Sequence, residues 1–253
     1  MSRWQQFRKF GLCAALVPLL LTALQSQAQE KNQYGERSIE PEQIAFDKDG
    51  IWTLNFKFKD PRIIDVEIPA RGKTRVWYMF YQVYNNSGEP RQFVPQFEIV
   101  TLDKNTSHID EVLPSVQDEI IKLEDPQDKL KIKNSVTIGK DLIPISRADA
   151  FPRMVSGVVI WPDIAEKAPR TSRFSVFISG LSDGWVKDDN GVIRRKTLQI
   201  NYRRSTDGRG IDTSDLKLDP ETPFRWIYRA TGYKPKSEEK KEPTPKVEEK
   251  NGK

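Results

Sequence analysis

Few residues in this chain have the types and spacing that chemistry requires. There is one histidine, His108, and one cysteine, Cys13, in 253 residues. A Cys-His nucleophile pair would need Cys13, which stands in an apolar stretch near the N-terminus. A Ser-His-Asp triad would have to use His108, the single histidine of the chain. Zinc, iron and copper sites of the usual kinds need several imidazoles or thiolates, so the sequence calls for no metal or cofactor. His108 itself lies in a polar stretch and reads as a surface loop residue.

Carboxylates offer a second kind of chemistry. Asp110 with Glu111, or Asp118 with Glu119, supply the paired acids that a glycosidase uses, though nothing in their spacing marks them as facing each other. Asp47-Lys48-Asp49-Gly50 and Asp188-Asp189-Asn190-Gly191 resemble pieces of calcium loops. Neither runs on to the closing Glu of an EF-hand, and each reads as a turn between strands. Binding chemistry is better represented. Arg194-Arg195-Lys196, with Arg203-Arg204 further along, bracket one strand and suit an anionic ligand or a polyanionic glycan. Their plainer role is to hold cations in water at strand ends. Trp161, Trp185 and Trp226 sit at strand ends or in loops, where an exposed ring stacks on a sugar and a buried one fills a core.

These residues must be positioned by strands. Arg75 to Tyr84, RVWYMFYQVY, is rich in residues that favour a pleated chain. Its alternate positions are apolar on both faces, which predicts a central strand covered on both sides. Asn85 to Gly88 predicts a reversal, and QFVPQFEIVTL a following strand that Pro95 would leave at an edge or bulged. Ile51 to Lys59 alternates cleanly, with Trp52, Leu54, Phe56 and Phe58 on one face. Ile64, Val66 and Ile68 alternate again. Val155–Trp161, Phe174–Ile178, Ile193–Tyr202 and Phe224–Tyr228 complete the strand pattern, with Leu198, Ile200 and Tyr202 inward. Pro114 to Glu124 carries Val116, Ile120 and Leu123 at helical spacing and predicts one short helix, begun by Pro114 or capped by Ser115. Eight or nine strands with one helix predict a mainly β chain, an antiparallel sandwich. Residues 41–232 form this domain, as one sandwich or as two small ones split near 126.

The two ends differ from the body. Arg3, Arg8 and Lys9 precede an apolar run from Gly11 to Leu24, and Ser26-Gln27-Ala28 offers a cleavage site, so residues 1–28 read as an export signal. A retained N-terminal membrane anchor is the alternative, although about 14 apolar residues are short for a bilayer. Residues 29–40 read as a polar leader, and the charged tail 233–253 as disordered. The formal charge of +5 comes from these ends, leaving the body without net charge. A neutral body lacks the cationic footprint that nucleic acid demands.

Five segments, WYMFYQVYNNSGEPRQFVPQFEIVT, GVVIWPDI, FISGLSDGW, RRKTLQINYRR and FRWIYRA, resemble those of a group of uncharacterised secreted bacterial proteins. The likeness runs from about Asp49 to Ala230. It carries no activity or site residue across. At fold level the chain also resembles immunoglobulin-like sandwiches, which implies no function by itself. The expectation is a secreted or periplasmic, non-catalytic binding or structural protein. Its partner would be an envelope protein or a glycan, with no membrane span once the signal is removed. A carbohydrate-binding module using exposed aromatics is the alternative, and a two-carboxylate glycosidase the less favoured one.

Overall fold

The computed structural model describes residue 32 and residues 35–147, 149–204 and 216–230. Residues 1–28, read above as an export signal, and the charged tail lie outside the described residues. In chain order the strands are β1 (Glu36–Ile39), β2 (Asn55–Lys59), β3 (Arg62–Ile68), β4 (Gly72–Tyr84), β5 (Arg91–Gln92), β6 (Gln96–Thr101) and β7 (Thr106–Ile109). Helix α1 (Pro114–Glu124) follows, then β8 (Leu142–Ile143), β9 (Val155–Trp161), the one-turn helix α2 (Ile164–Lys167), β10 (Arg173–Ser179), β11 (Trp185–Lys187), β12 (Ile193–Arg204), β13 (Leu216–Leu218) and β14 (Phe224–Ala230). All the strand pairings are antiparallel, and the two main sheets pack as a sandwich.

Each sheet is built on one long strand. In the first, β4 pairs with β9 along one edge and with β2 and then β3 along the other, while β1 lies beyond β2. In the second, β12 pairs with β10 and β11 along one edge and with β14 and β13 along the other, and β6 and β7 extend the sheet past β10. Both sheets therefore draw strands from either side of residue 126. Within residues 29–40, read above as a polar leader, β1 pairs with β2. Asn85 to Gly88 do not make a hairpin. The chain crosses there from β4 in the first sheet to β6 in the second, and Pro95 stands just before β6 instead of inside it.

The two faces of β4 are buried in different places, as its pattern predicts. Trp77, Met79, Tyr81 and Val83 face the inter-sheet core with Phe97, Phe174, Val176 and Leu198. Val76, Tyr78 and Phe80 face outward, where α1 covers them with Val116 and Ile120. A bulge between β2 and β3 changes the register. Three residues, Lys59 to Pro61, span a gap where β4 has two, Met79 and Phe80. One extra residue inverts the alternation. Phe56 and Phe58 thus enter the inter-sheet core, whereas Ile64, Val66 and Ile68 point to the helix side. Pro114 occupies the first turn of α1, where its missing N–H costs nothing, and Ser115 provides no cap. At the other end Glu124 accepts from Tyr78 Oη at 2.9 Å and pairs with Lys59 and Arg62, each at 2.8 Å.

At one end the sheets are joined directly. Leu54 N donates to the Leu181 carbonyl at 2.7 Å, and Thr53 and Ser182 form an isolated antiparallel bridge. Among the described residues no helix is long and apolar enough to cross a membrane.

Candidate functional site

His108 is not in a surface loop. It sits on β7 opposite Ile99, with its side chain fully enclosed. The strand escaped notice because Thr106 and Ser107 give it no apolar alternation. Nδ1 lies 2.9 Å from Asp163 Oδ1, and Nε2 lies 2.7 Å from Thr106 Oγ1. Burial pushes the Asp163 carboxyl up, but hydrogen bonds from His108 and Lys167 outweigh it and hold the carboxyl at about 2. With Asp163 ionised, Nδ1 must donate, and a neutral ring then accepts the Thr106 hydroxyl proton at Nε2. Hydroxyl, imidazole and carboxylate in that order resemble an activated nucleophile. Here the Thr106 hydroxyl is also engaged by Thr101 Oγ1 at 2.7 Å, and the ring has no open side. The relay ties β7 to α2.

Its linkage to stability has a definite sign. A carboxyl held below its ordinary value contributes stability above about pH 4 and loses it as pH falls toward 2. Asp163→Asn should therefore lower stability by about 2 kcal/mol near neutrality and flatten the acid limb between pH 4 and 2. Urea midpoints measured at several pH values check this; equal midpoints for both proteins at pH 7 would contradict it.

The other acids are spent locally. Glu111 pairs with Arg71 at 2.6 Å and Glu119 with Lys122 at 2.6 Å, while Asp118 is exposed on α1. Burial holds Asp110 above its ordinary range, beside the Ser135 hydroxyl that donates to it. None of the four lines the clefts described below. Asp47 accepts from Lys196 and Tyr228, and Asp188 folds its own turn by accepting from the amides of Asn190 and Val192. Among the described residues no group of three or more His, Cys, Asp or Glu side chains is placed to hold a metal ion.

The five binding candidates separate cleanly. Trp161 and Trp226 are core residues, so neither presents a ring to a sugar. They occupy strand positions whose side chains face the opposite sheet, which a reading of strand ends alone misplaces. Arg194 is held by Asp188 at 2.9 Å across the turn between β11 and β12. Trp185 and Arg195 remain outside. They are direct cross-strand partners, so they share the outer face of the second sheet. Trp185 is 49% exposed, with the Lys48 ammonium 4.9 Å from its ring centre. Arg195 is exposed and has no hydrogen bond or ion pair from its side chain among the described residues.

Arg195 lines a cleft of about 380 Å3 at the joined end of the sandwich, together with Trp52, Arg91, Gln92, Ser182 and Asp183. The Arg91 guanidinium lies 5.3 Å from the Trp52 ring centre, and its Nε donates to Ser87 Oγ at 3.0 Å. Asp183 accepts the Trp52 amide at 3.0 Å, and Ser182 donates to the Trp52 carbonyl at 2.7 Å, so the wall is fixed by short bonds. Sequence alternation put Trp52 on the inward face, but β2 begins only at Asn55, and Trp52 turns half outward before it. Nothing in the sequence marked Arg91 or Asp183.

The outer face continues along β12 as a polar strip. Gln199 Nε2 donates to Asn201 Oδ1 at 2.7 Å, and Gln199 Oε1 accepts from Arg225 Nε at 2.9 Å. Arg229 reaches Glu98 at 2.6 Å, with its guanidinium 4.0 Å from the Phe177 ring centre. On the first sheet α1 covers the outer face at Val76, Tyr78 and Phe80.

These features define a class: an antiparallel β-sandwich with one face partly covered by a helix and the other carrying a polar strip that ends in an arginine-lined cleft. No family model, curated protein or solved structure matches the chain.

Proposed function

We propose that this chain is a non-catalytic binding protein of the periplasm or cell envelope, and that its ligand is an acidic glycan held at the Trp52–Arg195 cleft. One observation carries the reading. Arg195, exposed and unengaged, stands beside the exposed ring of Trp185 and lines the same cleft as the braced Arg91. Guanidinium groups bind carboxylates through two parallel donors, and a partly exposed indole offers an apolar face to a sugar ring. Asp183 and Gln92 add an acceptor and an amide suited to hydroxyl groups. Export rests on the N-terminal signal pattern, which places the mature N-terminus at Gln29.

The test uses the exported chain, with its N-terminus verified by mass spectrometry. Trp fluorescence is followed while short oligogalacturonates are added, with neutral maltooligosaccharides as the control. Saturable change with the acidic sugar alone is expected. Arg195→Ala should weaken binding at least about tenfold, the loss of one charge-assisted contact. Absence of any binding by calorimetry, or equal response to the neutral sugar, overturns the proposal.

A further inference from the structure

A second cationic cleft opens at the far end of the same strip. It has a volume of about 620 Å3 and is lined by Lys104, Arg170, Arg173, Arg203 and Arg204, with Asp103 in its wall. Asp103 is already engaged: burial raises its carboxyl, but donors from Thr171 and Ser172 more than offset this and leave it below its ordinary value. Arg203 pairs with Asp219 at 2.9 Å. Lys104, Arg170 and Arg173 are exposed and have no ion pair among the described residues. In a body with no net charge, such a cluster is a local excess that attracts anions.

Register relates this cleft to the first. Arg173 pairs with Arg203 across β10 and β12, so both lie on one face. Arg203 is eight residues from Arg195 along β12, an even interval that returns the side chain to the same side. At about 3.3 Å per residue the two arginines are about 26 Å apart. Between them Thr197, Gln199 and Asn201 alternate onto the same face beside Ser175 and Phe177 of β10; Thr197, Gln199 and Ser175 are buried, Asn201 and Phe177 are partly exposed, and Arg225 of β14 is exposed. The surface therefore runs from cations past Arg225 to cations again.

We propose that the ligand is an extended acidic polysaccharide that lies along β12 and is anchored at both clefts at once. This rests on the acidic-glycan reading of the Trp52–Arg195 cleft and adds the length of the ligand and its second anchor. The exposed Arg225 between the clefts adds a cation along the path of an acidic chain. Single-stranded nucleic acid needs a series of rings for successive bases. This strip has Trp185 at one end, and Phe177 at its middle is capped by Arg229.

Two anchors on one polymer raise affinity without new contacts, because the second event becomes intramolecular. The experiment compares a digalacturonate with a dodecagalacturonate on the exported chain and on its Arg170→Ala/Arg173→Ala variant, by calorimetry at low and at physiological salt. Both substituted residues are exposed, and circular dichroism verifies that the variant is folded. Wild type should bind the long chain at least about tenfold tighter than the short one, beyond the gain from overlapping registers. The variant should keep the tryptophan fluorescence response to the short chain, which reports the Trp52–Arg195 cleft, and lose the length advantage. If the long chain binds no tighter, or the variant keeps the advantage, the second anchor is refuted while the first cleft stands. If wild type binds neither length, the first reading falls with it. Single-stranded DNA binding as tightly as the long sugar, with the same loss in the variant, would replace the glycan.

Discussion

Lys196→Ala should cost about 3–5 kcal/mol, the usual loss when one partner of a buried ion pair is removed. Lys196 is 2% exposed, yet it lies on the inward face of β12. Its Nζ is 2.5 Å from Asp47 Oδ2 and 2.6 Å from the Glu42 carbonyl, and lies 5.5 Å from the Trp226 ring centre. Asp47 also accepts from Tyr228 Oη at 2.7 Å and from the Ile44 amide. Burial alone would raise the Asp47 carboxyl, but these donors more than offset it and leave it below its ordinary value. Removing Lys196 strips away the charge that compensates an enclosed carboxylate. The double variant Asp47→Leu/Lys196→Met removes both charges and should recover most of the loss. Urea unfolding of the two variants decides it: a single substitution costing less than about 1 kcal/mol sinks the account.

Gly180→Ala is expected to cost about 2–4 kcal/mol, by two effects that add. Gly180 has φ +92°, a conformation L side chains rarely adopt. A Cβ there would also stand 2.3 Å from the Val94 carbonyl oxygen, and backbone cannot swing aside as a lysine tip can. Gly191, with φ +81°, supplies the comparison. Its nearest neighbour would be Lys187 Cε at 3.5 Å, so Gly191→Ala should cost only about 1 kcal/mol. Gly180 and Val94 both line the Trp52–Arg195 cleft, so Gly180→Ala should weaken oligogalacturonate binding as well. Equal melting temperatures for the two alanine variants would show that the close approach at Val94 is not a constraint.

Much of the architecture was legible because apolar alternation is a strong signal. The two-faced burial of β4, the inward row Leu198, Ile200 and Tyr202, and the span of α1 from Pro114 to Glu124 all follow from residue type and spacing. What stayed hidden has three physical causes. Strands made of polar residues, such as β1 and β7, give no period, so His108 looks like a loop residue in the sequence. The bulge at Lys59–Pro61 inverts alternation through pairing with β4, a partner the local sequence does not reveal. Arg91, Asp183 and Trp52 meet because the chain crosses between sheets after Asn85, and contacts across such separations leave no local trace. Trp185 and Arg195 could be found, since both flank a turn; Trp161 and Trp226 look like Trp185 in sequence and differ from it in facing the core.

The joint at Leu54–Leu181 and Thr53–Ser182 bears on more than the assembly of the sandwich. It holds in fixed contact the backbone next to Trp52, Gly180 and Ser182 of the arginine cleft. Association at the proposed site would then give up little conformational freedom, so more of the contact energy would survive as affinity.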